Sequence, residues 1–448
     1  MKKTISILLI IFQLCAVGYY AYLRIHNSRH IKEPRSFGDT TDYFHNASLP
    51  VLSKDFWIDA RPPVTALFWK VVNSDPKKIY VLQFYFSILS WAILAFASTS
   101  AVKSSILKPL VFVIVLGFSL SRDIIMWDPF LGSESIALSF TALFLASAIW
   151  LFLEWKNYKL ALLIVAALFM VFTRDTYAYL LVMIAVVSIP VFWFTNYRSR
   201  VVAVGFSFLV IFALSSQLAV LGLRPFRAVV MNTALRIFPS ETYTEYFRSH
   251  GMPIDNELVE TSRNIQPGKK FAVYFSLFSG ENNEDYRQWA MKSGSSEYAK
   301  FLWFFKVDTL QKVFTETAGQ SFFPDVYYYT ATGYKPIIKD ARISEFLYPT
   351  RFGLFFFFAA TFGASFFAAI AWRDKRALWF IPLLMILLTY PQAVLVWAAD
   401  VNDIARHSIS HNVLLRLGVW ILAFFILDVL FENLSARMPF MKKSASPA

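Results

Sequence analysis

Apolar stretches that approach the roughly 20 residues a helix needs to cross a bilayer recur along this chain, and the alternation expected of an outer-membrane barrel is missing. Composition agrees: 57% of the residues are hydrophobic and only 16% are charged, too little polar surface for a soluble chain of 448 residues. The expected class is all-α, a polytopic membrane protein.

Ten spans are expected, at about 4–23, 79–99, 108–122, 134–153, 159–173, 176–194, 201–222, 350–371, 377–399 and 411–431. The third and fifth have apolar parts shorter than about 18 residues, which fits tilted, partly re-entrant or interface-extended segments. With Lys2 and Lys3 inside, the inner segments carry Lys103, Lys108, Lys156, Lys159, Arg198, Arg200, Arg373, Lys375, Arg376, Arg437, Lys442 and Lys443. The short outer turns carry only Arg122, Arg174 and Arg406, so the positive-inside rule puts both termini in the cytoplasm.

This gives an N-terminal membrane domain over 1–222 with its first outer loop at 24–78, an extracytoplasmic module over 223–349, and a C-terminal membrane segment over 350–448 ending in a cytoplasmic tail. Residues Lys2 to Leu23 also fit a cleaved signal peptide, but the run is nearly span length and no clear small-x-small cleavage site follows, so a retained anchor is expected. Within the module, Tyr298 to Phe314 mixes aromatic and basic residues in the manner of an interfacial amphipathic helix, or of one packed on the membrane domain.

The net charge of +13 is spread over membrane-flanking segments, which favours anionic lipid headgroups and lipid phosphates and not nucleic acid. Cys15 is the single cysteine, which excludes an intramolecular disulfide and a Cys-based zinc site. P-loop, dinucleotide-binding, His-Glu-x-x-His and Gly-x-Ser-x-Gly signatures are all missing. No cofactor is assigned; a divalent ion would use dispersed oxygen ligands that no spacing identifies.

The acidic and basic residues between spans fall repeatedly on the outer side. They are Asp39-x3-Tyr43-x3-Ala47 with Asp42 and Arg61 in the first loop, then Arg122-Asp123-x3-Trp127-Asp128-Pro129-x3-Ser133-Glu134. Arg174-Asp175-Thr176 and Asp403-x2-Arg406-His407 follow. In order and sidedness these resemble the GT-C superfamily of integral-membrane glycosyltransferases, especially branches similar to the protein mannosyltransferases and the lipid A aminoarabinose transferases. Two departures stand out: Thr40 occupies the place where Glu often follows the first Asp, and the Trp-Trp-Asp signature of oligosaccharyltransferases is missing.

The resemblance implies a GT-C-like fold and inverting transfer of one sugar from a polyprenyl-phosphate donor to a glycan, lipid or protein hydroxyl outside the cytoplasm. A bacterial cell envelope is the preferred setting. Such chemistry needs a base for the acceptor proton and cations for the departing phosphate. Asp39 is the first candidate base and Asp42 the second, although either also fits a helix cap. Arg61, Arg122, Arg174 and Arg406 with His407 are candidate phosphate ligands, or snorkelling arginines. Glu134 either braces an Arg and positions the acceptor or belongs to an ordinary helix start, and Asp403 accompanies Arg406. Asp123 and Asp175 are expected to pair with the Arg preceding each. Trp57, Trp127 and Trp397 fit sugar stacking or interfacial anchoring. The rival reading is a transporter or flippase of a lipid-linked sugar, which predicts functional polar groups through the bilayer midplane.

Overall fold

Pro76 opens the second helix long and apolar enough to cross a membrane, behind an Asp75 side chain that accepts from the amides of Lys77 (2.9 Å) and Lys78 (3.1 Å), an N-cap followed by Pro at the first helical position. The computed structural model describes residues 2–194, 198–264, 271–322, 337–350, 359, 361–363 and 376–437. Among them the secondary structure is helical, with one isolated β-bridge between Arg35 and Phe130.

The N-terminal half runs α1 (Lys2–Ser28), α2 (Gly38–Ser48), α3 (Lys54–Ile58), α4 (Pro63–Lys70), α5 (Pro76–Ala101), α6 (Leu107–Ser119), α7 (Arg122–Ile125), α8 (Glu134–Leu153), α9 (Asn157–Val171), α10 (Thr176–Phe194), α11 (Arg198–Leu221) and α12 (Arg224–Asn232). Among the described residues, six helices are long and apolar enough to cross a membrane: α1, α5, α8, α11, Leu378–Ala399 and Ile409–Glu432. The protein is thus an all-α membrane protein. Helices α6, α9 and α10 match three more expected spans but carry shorter apolar runs. The expected span at 350–371 lies almost wholly outside the described residues, so ten spans are not reached among them. The expected span at 377–399 divides at Leu388 into Arg376–Leu387 and Thr389–Ala399, because Pro391 has no amide to continue the ladder.

Helix α8 and the last helix, Ile409–Arg437, form the centre, with 78% and 83% of their apolar windows buried, whereas α1 at 11% and α11 at 22% line the outside. Small residues on α8 (Ala137, Ser139, Ala142, Ala146) let α5 pack against it, and Ser139 and Thr141 return their hydroxyls to carbonyls of their own helix.

The two ends of the bundle differ. At one, Asp428 accepts from the backbone amides of Lys103 (2.9 Å) and Ser104 (2.8 Å), tying the last helix to the α5–α6 turn. At the other, α2, α3 and α4 fold the segment between α1 and α5 onto the spans, burying Tyr43, Ala47, Phe56, Val64, Ala66 and Trp69 in the same apolar core. Lys70 Nζ closes the C-terminus of α2 by donating to Ala47 O (2.6 Å) and Leu49 O (2.7 Å).

A second apolar core gathers residues from Phe226 to Phe301, including Phe238, Phe247, Val273 and Tyr286. Farther along, Val313, Phe322, Leu347 and Tyr348 join the main core instead. A polar clamp fastens the second core to the bundle. Asn232 Nδ2 and Tyr298 OH donate to Ala398 O (3.1 and 3.0 Å), and Arg236 Nη2 donates to Trp397 O (2.6 Å). These donors satisfy the free carbonyls at the C-terminus of Thr389–Ala399, where a cation is also favoured by the helix dipole.

Candidate functional site

Thr40 explains how α2 is held. Its hydroxyl accepts from Phe37 N (3.0 Å) and donates to Leu131 O (2.6 Å), so Thr40 is a buried clasp between the segment that follows α1 and the turn before α8. Arg35 N donates to Pro129 O and Leu131 N to Arg35 O, both at 2.8 Å, which extends the clasp along the backbone. Tyr43 and Ala47 lie on the buried face of α2, with the Tyr43 ring 5.6 Å from that of Trp69. Asp39 and Asp42 are left on the more open side, one turn apart.

The second turn is anchored from below. Asp128 is buried, ion-paired to Arg24 of α1 and hydrogen-bonded by Ser135 Oγ (2.7 Å), while Gln83 Nε2 donates to the carbonyls of Asp128 and Phe130. Gly132 then has no space for a side chain: a Cβ there would lie 2.5 Å from both Glu134 Oε2 and Phe37 Cζ. The glycine lets the Glu134 carboxylate fold back beside Phe37, and Phe37 in turn packs its ring 4.5 Å from the Arg406 guanidinium.

On this frame the structure joins eight of the nine expected site residues into one ionic network. Arg61 bridges the two acids, with Nη2 2.5 Å from Asp39 Oδ1 and Nε 3.0 Å from Asp42 Oδ2. Arg406 holds the other oxygen of Asp39 and places Nε 3.1 Å from Glu134 Oε1 and Nη1 3.6 Å from Asp403. Arg174 Nη1 lies 3.5 Å from the same Glu134 oxygen and donates through Nη2 to His407 Nδ1 (2.7 Å). His407 Nε2 lies 2.9 Å from Asp400 Oδ2. Arginine can only donate, so Nδ1 carries the lone pair and the imidazole proton sits on Nε2, facing Asp400.

Arg122 is the exception: it begins α7 beside Asp123, whose carboxyl burial raises against the opposing fields of Arg416 and Arg122. Asp175 departs from expectation too, since its partner is Arg224 (3.2 Å) and not Arg174.

Glu134, Arg174 and Arg406 are buried, whereas the side chains of Asp39, Asp42 and Arg61 keep 18%, 32% and 29% of their surface, so the network has a dry floor and an accessible rim. Burial alone would raise the Asp39 carboxyl, but Arg406 and Arg61 override it and hold it below the usual carboxylate range. Burial would lower Arg406, and Glu134, Asp39 and Asp403 reverse that, fixing its charge. Asp400 is likewise held low against burial by His407 and by the amides of Asn402 and Asp403. At the floor, Glu134 Oε1, Arg406 Nε and Arg174 Nη1 are buried at ion-pair distance without hydrogen-bond geometry, and Glu134 Oε2 is buried without a hydrogen-bond partner. Their hydrogen-bonding capacity is unspent within the protein, a costly arrangement unless a polar ligand uses it.

Sequence reasoning missed Asp400, Phe37, Arg224 and Arg227, the last of which lies 3.6 Å from Asp42. Asp400, at the end of a span and three residues before Asp403, was the legible one. Trp127 and Trp397 are buried, the latter under Arg236 at 3.7 Å, which leaves Trp57 as the partly exposed one of the three. Asn46, of the Asn46-Ala47-Ser48 sequon, is fully buried and donates to Arg61 O (3.4 Å). Among the described residues no group of three or more His, Cys, Asp or Glu is arranged to hold a metal ion. Comparison of the chain with known protein families and with curated proteins finds no match in either.

Proposed function

We propose that this protein is a GT-C-like glycosyltransferase of the bacterial inner membrane. It moves one sugar from a polyprenyl-phosphate donor to a glycan, lipid or protein hydroxyl on the outer side. The observation that carries the reading is a carboxylate on the rim, Asp39, paired to the buried Arg406, which shares the buried Glu134 with Arg174, the donors of both guanidiniums not all being used. A base beside unspent cations is the combination that transfer from a phosphate leaving group requires.

In the reaction, the acceptor oxygen bonds to the anomeric carbon as the bond from that carbon to the phosphate oxygen breaks. The electron pair leaves on the phosphate, facing Arg406 and Arg174, and the hydroxyl proton passes to Asp39, with Asp42 the alternative base. Displacement from the opposite face inverts the centre. Asp39 clamped by two arginines is a weak base; the donor phosphate competes for Arg406, and each hydrogen bond it takes returns basicity to Asp39. The phosphate thereby readies the base only when a donor is bound. His407, oriented by Asp400, holds Arg174 toward Glu134 and the phosphate.

The test is sugar transfer by purified protein in nanodiscs, using radiolabelled polyprenyl-phosphate monosaccharides and envelope-glycan extract. Donor-dependent transfer that Asp39→Asn abolishes supports the reading. Transfer surviving in the variant moves the base to Asp42, and no transfer with any donor, with lipid-sugar translocation in proteoliposomes, overturns it in favour of a transporter.

A further inference from the structure

The stretch expected as one amphipathic helix, Tyr298 to Phe314, is three pieces: Ser295–Phe304, Lys306–Gln311 and a π-helical turn at Lys312–Glu316. One side of it is spent inside the protein, where Tyr298, Phe301 and Val313 are buried. The other side is apolar and open: Trp303 is 73% exposed, Phe304 69%, Val307 73%, Leu310 46% and Phe314 37%. Trp303 and Phe304 end the first piece, Val307 and Leu310 lie one turn apart on the second, and Phe314 lies in the π-helical turn, so each piece adds exposed apolar side chains to this side. A row of large apolar side chains on a water-facing surface is unfavourable and marks a contact.

Its position identifies the contact. At its upper end Tyr298 bonds to Ala398 O, at the last turn of a span; at its lower end the Phe314 ring lies 6.1 Å from that of Tyr390 in the same span. At about 1.5 Å per residue, Tyr390 lies about 12 Å farther along that helix than Ala398. The headgroup region on one side of a bilayer is only about 5–8 Å thick, so a segment descending this far passes through it to the hydrocarbon. Tyr390 is itself 45% exposed on a helix long and apolar enough to cross a membrane, and Phe314 packs beside it. At the upper part of this face Lys306 Nζ lies 4.5 Å from the Trp303 ring, a Trp–Lys pair with an apolar body and a cationic tip suited to anionic headgroups.

We propose that the 303–314 face is a lipid-seated element, with Trp303 and Lys306 among the headgroups and Leu310 and Phe314 in the acyl region, anchoring the second core at the same end of the bundle as the ionic network. Lipid is the partner because Phe314, at the lower end of the face, meets Tyr390, an exposed side chain of a helix long and apolar enough to cross a membrane.

The experiment is spin-label accessibility in nanodiscs containing phosphatidylglycerol, on full-length protein with Cys15→Ser, so that each introduced cysteine is the single label site. Trp303→Cys and Leu310→Cys are compared with Ser249→Cys, on the exposed surface of the second core. Both test sites are expected to collide with oxygen severalfold more than with a water-soluble nickel chelate, with the larger ratio at 310, and the ratio reverses at 249. Accessibility at 303 and 310 matching that at 249 means a solvated face and overturns the proposal. Protection from both reagents means that protein covers the face and overturns it as well. Two test sites keep the result readable if one variant does not fold.

Discussion

Arg406 donates to Asp39 across 367 residues of chain, and that one contact closes the segment between α1 and α5 onto the turn before the last helix. Because Arg406 also faces Glu134 and Asp403, it is the residue on which the most carboxylates of the network depend.

Replacing Arg406 with alanine leaves Asp39 and the buried Glu134 short of compensation. Removing one partner of such a buried pair costs about 3–5 kcal/mol, so Arg406→Ala should lower the thermal midpoint in detergent markedly. Arg406→Lys should recover part of the stability and little of the proposed transfer, since an ammonium cannot span Asp39 and Glu134 as a planar fork does. Equal midpoints for wild type and Arg406→Ala would show that the pairing contributes nothing.

Acid should unfold the protein partly through Asp39. Its folded pKa lies below the unfolded value of roughly 3.9, so the stability it contributes is complete above that value and is lost as pH falls through the folded pKa. The drop in thermal midpoint between pH 6 and pH 3 should therefore be smaller in Asp39→Asn than in wild type. Identical drops in both proteins would remove Asp39 from the acid limb.

Gly132→Ala should be disproportionately harmful. A Cβ at 2.5 Å from both Glu134 Oε2 and Phe37 Cζ forces one of them aside, at about 1–3 kcal/mol for overpacking. Since both touch Arg406, transfer should fall further than stability. A variant with normal activity would show that Glu134 need not sit where it does.

At Thr40, valine keeps the shape and loses two hydrogen bonds, leaving Phe37 N and Leu131 O without that partner, for about 1–3 kcal/mol. Glutamate, the residue the family resemblance favours here, should be worse than valine because the site is buried between two backbone segments. Chemical denaturation of both variants checks the order, and a glutamate variant as stable as wild type would contradict it.

Arg236→Ala should loosen the second core from the bundle without unfolding it. Hydrogen exchange should rise at the end of Thr389–Ala399, whose carbonyls Arg236 satisfies, and less within 226–301, which has its own apolar core. Uniform acceleration across both regions would mean that the two fold as one unit.

Much of this was legible along the chain because membrane helices announce themselves one at a time. Each apolar run must satisfy its backbone within itself, so α5, α8, α11 and the last helix follow from local composition alone, and Asp39, Arg61, Glu134, Arg174 and Arg406, all in segments between apolar runs, do gather at one end of the bundle. The division at Leu388 was legible too, in Pro391, though a hydropathy window passes over it.

What only the tertiary structure decided is who meets whom. Arg122, Arg174 and Arg406 look alike in sequence, each in a short outer turn, yet Arg174 and Arg406 enter the network and Arg122 lies apart with Asp123. Asp175 passes over its neighbour Arg174 for Arg224. Thr40 looks like an ordinary helix-start residue until Leu131, 91 residues away, is seen accepting its hydroxyl. The reason is physical: hydropathy depends on each segment's own transfer from water and is therefore local. An ion pair depends on a few ångströms between groups that hundreds of residues separate, and that distance exists only once the helices have packed.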